Sequence, residues 1–410
     1  MAEPVAARPE APARGTWRVR ALAALGPAWR SDLVGPGVYL VIVALTSWVE
    51  VLALPGGVRD LHHRWAGWDS WRYLAIADTG YHHHTEVGWL PGYPVTIRVF
   101  LFVVHDHEFA GVVGSLVAGC LASYLLCRWT RVVGLSERER AAALLSVLLF
   151  PYAFFLYGIV YPVALYLALA LGAYLLAERR RMVEAYLLVA LATVVHPSAL
   201  ALLTGITAFA LERDGVLGHR DGRHRWLRWT VVPTIDRSRF QRSHWWALLS
   251  LLGLGGWLAF CALALGSPFA YAQEQRRVAG AGAFSRKAML SLDYMSRVLS
   301  PRHQVAELAQ ATIGLALVVA GLLLVPAIVR RLGWGYAALG AVTSLLVYVT
   351  SADFVSAPRY MASCFPVLVI CGLAVARRSN RVAIPVALVA AGSMVGLHVL
   401  FAASIAYPAW

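Results

Sequence analysis

Charge is scarce in this chain. Of its 410 residues only 14% are charged while 59% are hydrophobic, and the mean hydropathy is +0.63. Soluble domains carry about a quarter of their residues as charges, so such a composition excludes a water-dissolved globule and points to a polytopic membrane protein. Acids are scarcer than bases, 22 against 36, for a net charge of +14. That imbalance would suit a nucleic-acid binder, but the arginines lie in short clusters between apolar runs, the pattern of topology signals, and no nucleic-acid partner is expected. Cysteine is also sparse. All five (Cys120, Cys127, Cys261, Cys364, Cys371) fall inside apolar runs without metal-type spacing, which argues against a disulfide framework and a zinc site alike. The N-terminal stretch lacks a short apolar core with a small-residue cleavage site, so residues 1–35 read as a disordered cytoplasmic tail and not as a signal peptide. No tandem repeat is visible of the kind that gives many transporters their internal two-fold symmetry.

What the chain does have is apolar runs. Those long enough to cross about 30 Å of hydrocarbon lie near 36–54, 109–129, 139–157, 160–177, 245–266, 308–329, 333–350, 360–376 and 382–404. The run 182–211 is too long for one span and is broken at His196-Pro197, while 91–104 is short and interrupted by Pro94 and Arg98. Taking 182–211 as a hairpin and 91–104 as a re-entrant or interfacial helix puts every arginine cluster on one side. The expectation is an all-α protein of about eleven transmembrane helices, N-terminus cytoplasmic, in the plasma membrane. Of the 36 basic residues, 25 then lie inside, as the positive-inside rule requires. Eight of them sit in the loop 212–244, where anionic lipid headgroups are sufficient partners. Carboxylates, aromatics and histidines gather instead in the outer loops 55–108 and 267–307 and in the turn 351–360, so chemistry is expected on the extracytoplasmic face.

The densest such stretch is Trp68-Asp69-Ser70-Trp71-Arg72-Tyr73, continuing to Gly80-Tyr81. Its spacing predicts a short amphipathic helix lying in the interface, with Asp69 at the N-terminus. Two readings of Asp69 stand. An aspartate is a good helix cap, and a carboxylate at a membrane surface is also a candidate base. The next segment, Trp89-Leu90-Pro91-Gly92-Tyr93-Pro94-Val95-Thr96-Ile97-Arg98, is too polar and Pro-rich for a lipid-facing span and suits a cavity wall.

Together Trp68-Asp69, Tyr73, Ile76-Ala77, Gly80-Tyr81, Pro91, Tyr93-Pro94 and Ile97-Arg98 resemble the outer-loop signature of the PIG-V-like mannosyltransferases of the GT-C superfamily. Later pieces are similar to that group too: Phe150-Pro151 with Phe154-Phe155, His196-Pro197-Ser198 where the group has Arg-Pro-Thr, and Ser356-Ala357-Pro358-Arg359-Tyr360 with Phe365-Pro366. The resemblance covers about residues 36–376. It implies a GT-C-like domain over 36–410 that takes mannose from a polyprenyl-phosphate carrier on the outer face and passes it to a lipid- or glycan-linked acceptor. Trp68, Tyr73, Tyr81, Tyr93 and Tyr360 would then be substrate-contacting. One departure stands out: Tyr161-Pro162-Val163 occupies the place of a Tyr-Ser-Glu, which leaves a non-catalytic GT-C-like partner protein as an alternative, beside a transporter or flippase.

Nucleotide sugars are cytoplasmic, so transfer on the outer face needs a donor already carried across on a lipid phosphate, and no cofactor is then required. Single displacement at the anomeric carbon needs a base for the acceptor proton, for which Asp69 is best placed. It also needs cations for the leaving phosphate, with Arg359 the first choice and Arg98 the second; snorkelling to the interface is the competing role for both. His196 could line the cavity or satisfy backbone freed by Pro197. The histidine-rich loop invites a metal, yet adjacent histidines cannot all converge on one ion, and no dedicated site is expected. His105-Asp106-His107-Glu108 does resemble a variable acidic pair of some GT-C enzymes, so Asp106 and Glu108 remain weak candidates for a loosely held divalent cation.

Overall fold

The computed structural model describes residues 29–82, 84–221, 231–278, 305–350 and 356–406. It is mostly helical, 79%. Among the described residues four helices are long and apolar enough to cross a membrane: Val34–Ala53 (α1), His107–Val132, Arg242–Leu265 and Asn380–Ser404. A fifth crossing arises if the pair Thr312–Leu323 and Val325–Arg331, bent by 42°, counts as one. Their outward faces carry large apolar side chains in the open, such as Leu52 at 71% and Leu263 at 89% exposure, a surface that water would not tolerate over this extent and that lipid tails match.

Chain order explains where the loop elements lie. After α1 come the short helices Leu61–Trp65 (α2) and Ser70–Thr79 (α3), then Gly92–Val104 (α4) and His107–Val132 (α5). Asp106 opens α5 by accepting the Phe109 N–H at 2.7 Å, a helix cap in the usual sense. Glu137–Leu148 (α6) begins with a Ser136/Glu139 capping box, and the apolar run 139–157 is then divided by a turn at Phe150-Pro151 before the one-turn helix Ala153–Leu156. Val163–Glu178 (α7), Met182–Thr193 (α8) and Ala199–Arg213 (α9) follow. The break between α8 and α9 falls at His196-Pro197, as the hairpin reading requires.

The helical expectation holds, with one addition: a two-stranded antiparallel ribbon in the basic loop 212–244, Leu217–Asp221 (β1) paired with Val231–Ile235 (β2); the β-branched Val231, Val232, Thr234 and Ile235 fit a pleated strand. The tail boundary at 35 needs correction, because it is too late. Trp29–Asp32 is already a helical turn, and Asp32 is buried against Arg131 at 2.6 Å; residues 1–28 lie outside the described residues. The remaining helices are Leu251–Leu265 (α10), Ala270–Val278 (α11), Val305–Leu323 (α12), Val325–Arg331 (α13), Trp334–Thr350 (α14), Ala357–Ala362 (α15), Phe365–Ala376 (α16) and Asn380–Ala406 (α17).

The core is strongly aromatic. Tyr174 stacks on Tyr336 at 4.4 Å and Phe365 closes on both, while Trp129 donates to the Tyr336 hydroxyl, which donates to Glu178, each at 2.8 Å. Hydroxyls and indole are thereby paired while their rings fill space, as buried Tyr and Trp must be. A second polar knot lies at the C-terminal end of α1. Glu50, fully buried, accepts from Arg64 Nε at 2.5 Å and Trp65 Nε1 at 2.8 Å and meets His398 Nε2 at 2.8 Å. Arg64 completes its fork on the carbonyls of Pro55 and Gly57. The Trp65 carbonyl accepts the Val160 N–H at 2.9 Å. Its ring covers Gly158, where φ is +94° and any Cβ would strike the indole, so only glycine fits there. This knot fixes α2 between α1 and α17 and sets the chain's entry into Trp68-Asp69.

Candidate active site

The turn that delivers Asp69 is strained. Trp68 has φ of +56°, uncommon for a bulky residue, and it is held there by packing on Phe401 at 5.0 Å and by its indole N–H donating to Ser404 at 3.2 Å. Asp69 follows at the N-cap position of α3, yet its side chain makes no capping hydrogen bond. It reaches across to Arg359, whose Nη1 donates to Oδ2 at 3.1 Å over 290 residues of sequence. The carboxylate stays 42% exposed and the guanidinium 23%. The aspartate thus forgoes its own helix for a distant arginine and remains open to solvent.

Tyr161 joins the two. Its hydroxyl accepts the Asp69 backbone N–H at 3.0 Å, and its ring lies 5.1 Å from the Arg359 guanidinium, within cation–π range. Tyr73 stands edge-on to Tyr161 at 6.0 Å and to Tyr93 at 5.4 Å. Burial lifts the Tyr73 hydroxyl well above the ordinary phenol range, with Arg359 opposing the shift, so it stays protonated and can donate. Tyr93 is a supporting residue, bonded to the Gly111 carbonyl at 3.0 Å and to Ser115 at 2.5 Å. On the far side Tyr360 meets His196 at 5.0 Å, and His196 in turn faces Tyr166 at 5.0 Å. Nδ1 of His196 accepts the Ser198 N–H at 3.1 Å, so this histidine both lines the site wall and satisfies backbone at the α8–α9 break.

Of the sequence candidates, then, Asp69, Arg359, Tyr73, Tyr93, His196 and Tyr360 are brought together, with Trp68 at the edge. Arg98 and Tyr81 are not. The Arg98 guanidinium is taken up by the C-terminal carbonyls of α3, those of Ala77 at 2.5 Å and of Ile76 and Asp78 at 3.4 Å, at the helix end where intrahelical donors run out and the dipole favours a cation. The Tyr81 hydroxyl donates to the Trp89 carbonyl at 2.7 Å and its ring packs on Trp257 and Phe260, a cluster apart. Asp106 is used up as a helix cap, whereas Glu108 faces His63. Asp353, in the expected outer turn, lies outside the described residues.

Two residues escaped the sequence reading. Tyr161 was legible only as part of an altered motif; the tyrosine that the motif retains is the one that touches both charges. Arg72 is held between Trp71 and Trp89, 4.2 Å from each ring, a positioned cation one turn along α3 from Asp69. The spacing Trp-Arg with a second Trp across the loop carried that signal. Chemically the site offers an exposed carboxylate, an arginine held against it, a protonated phenol and an aromatic wall. No family model matches the chain, and no similar protein was found among curated proteins or among solved structures.

Proposed function

We propose that the chain is a GT-C-like membrane glycosyltransferase, an inverting mannosyltransferase that moves mannose from polyprenyl-phosphate mannose to a lipid- or glycan-linked acceptor at the outer face of the plasma membrane. The arrangement counts α6, α7, α8, α9, α14 and α16 as crossings beside the four longer helices and the bent pair, for about eleven in all. In the reaction the acceptor oxygen attacks the anomeric carbon, its proton passes to Asp69, and the bond from that carbon to the phosphate oxygen breaks, releasing polyprenyl phosphate. Arg359 takes the phosphate charge. The observation that carries the reading is the Asp69–Arg359 pair. A donor phosphate would compete with Asp69 for the guanidinium, so donor binding itself frees the carboxylate to act as base, and stacked Arg72 supplies a second cation. Aromatic faces around such a site suit sugar rings.

A transporter or flippase has one observation in its favour. Glu50 and His398 are ionisable, fully buried and face each other between two membrane-spanning helices, as proton pathways require. Their neighbours saturate Glu50, however, and neither residue touches solvent, which suits a structural knot. The test is an incubation of reconstituted protein with labelled polyprenyl-phosphate mannose, glucose and arabinose and a lipid extract as acceptor. Label transferred from the mannose donor supports the proposal. Label that crosses the bilayer unchanged supports a transporter, and the absence of both leaves the chain as a non-catalytic partner.

A further inference from the structure

We propose that His62, His63 and Glu108 form a site for a borderline first-row divalent cation, zinc above all, that fastens α2 to the first turn of α5. One donor atom from each lies within 4.8 Å of the other two. The two histidines are adjacent on α2, with ring centroids 4.1 Å apart, so both imidazoles can be offered to one side. Glu108 comes from the start of α5, beyond Asp106. Its Oε2 is shut off from solvent without a hydrogen-bond partner, although Nδ1 of His63 is pressed against it. The carboxylate oxygen and the imidazole nitrogen meet as an ion pair, and with His62 beside them they are donors that a shared cation can take up.

The donor set decides the metal. Two imidazoles and one carboxylate suit zinc, with bonds of about 2.0–2.2 Å and an open fourth position, whereas magnesium and calcium prefer all-oxygen shells. Ligands on a tetrahedral ion sit about 3.4 Å apart, so closure needs only side-chain rotation, and His63 is 60% exposed and free to make it. The chemistry proposed at Asp69 does not involve this ion. Its consequence is mechanical, since α2 leads through Trp65 into Trp68-Asp69, and a clip to α5 stiffens that approach.

The experiment uses the full chain purified on a tag that contains no histidine, stripped with chelator and titrated with zinc chloride. About one equivalent should bind, and saturating zinc should raise the melting temperature by roughly a few degrees, while magnesium should not. His62→Ala with His63→Ala should abolish the shift. Glu108→Gln, which keeps the size of the side chain, should weaken it at least about tenfold in zinc concentration, and His107→Gln should leave it intact. No zinc shift in the wild type, or a shift that survives both the double variant and Glu108→Gln, would overturn the proposal.

Discussion

At the scale of single residues the site rests on a choice that Asp69 makes. It occupies a capping position and declines to cap, so its loss should be felt in chemistry and not in the stability of α3. Arg359 carries the complementary role. Arg359→Lys keeps the charge but loses the planar fork that can hold two phosphate oxygens; the expected result is a clear rise in donor KM or a fall in kcat at constant protein level, with Arg359→Ala worse. Parameters equal to wild type in Arg359→Lys would make the residue a snorkelling anchor. Tyr161→Phe keeps the ring beneath Arg359 while removing the acceptor of the Asp69 N–H, a bond worth about 1 kcal/mol. Its kcat should fall by up to about tenfold with donor KM little changed, which steady-state kinetics resolves. Arg98 behaves differently because it serves α3's carbonyls. Arg98→Gln should lower the melting temperature and leave donor KM alone. This pair of arginines shows what a sequence can hold: both stood near the outer face with similar surroundings, and nothing short of the C-terminus of α3 in space distinguishes the cap from the site. Asp69 was legible because its motif is local, its partner only because a second motif happened to contain an arginine, and the pairing across 290 residues was not legible at all.

At the scale of elements, the loop between α1 and α3 is held by a buried knot and not by apolar packing alone. Glu50→Gln leaves the Arg64 charge, only 3% exposed, without its counter-ion, and breaking a buried pair in this way costs about 3–5 kcal/mol. A large loss of thermal stability in detergent is expected. Glu137→Gln offers the contrast, since Glu137 pairs with Arg140 while 83% exposed, and such surface pairs contribute at most about 1 kcal/mol. Equal melting temperatures for the two variants would deny the knot its role. Helix positions followed most of the long apolar runs, the exception being 139–157, whose helix ends at Leu148 before Phe150-Pro151, and the α8–α9 break was visible at Pro197. The ribbon β1–β2 was hidden, because the eight arginines of the loop 212–244 dominate its composition and the alternation is short. The His62–His63–Glu108 cluster was hidden for another reason: α2 and α5 are neighbours only once the knot at Glu50 has turned the chain.

At the scale of the whole molecule, scarcity of charge made the membrane environment readable, and the arginine clusters carry the orientation proposed above. Tags placed in 213–242 and at 377–381 should be shielded in intact cells, while one near Glu86 should be labelled from outside; external labelling of the 213–242 loop would remove the proposed hairpin and with it the count of about eleven crossings. How the shorter helices sit in the bilayer was not legible, since a 12-residue helix such as α6 extends only about 18 Å and neither hydropathy nor length separates a short crossing from a buried core helix. The central claim, that Asp69 is the base of a sugar transfer, is tested most directly by the transfer rate from labelled polyprenyl-phosphate mannose in Asp69→Asn at wild-type protein level. Asparagine keeps the size and the capping ability of aspartate and removes its basicity. A fall of roughly 10²–10⁴-fold with unchanged thermal stability is the predicted result, and a rate within a few-fold of wild type would contradict it.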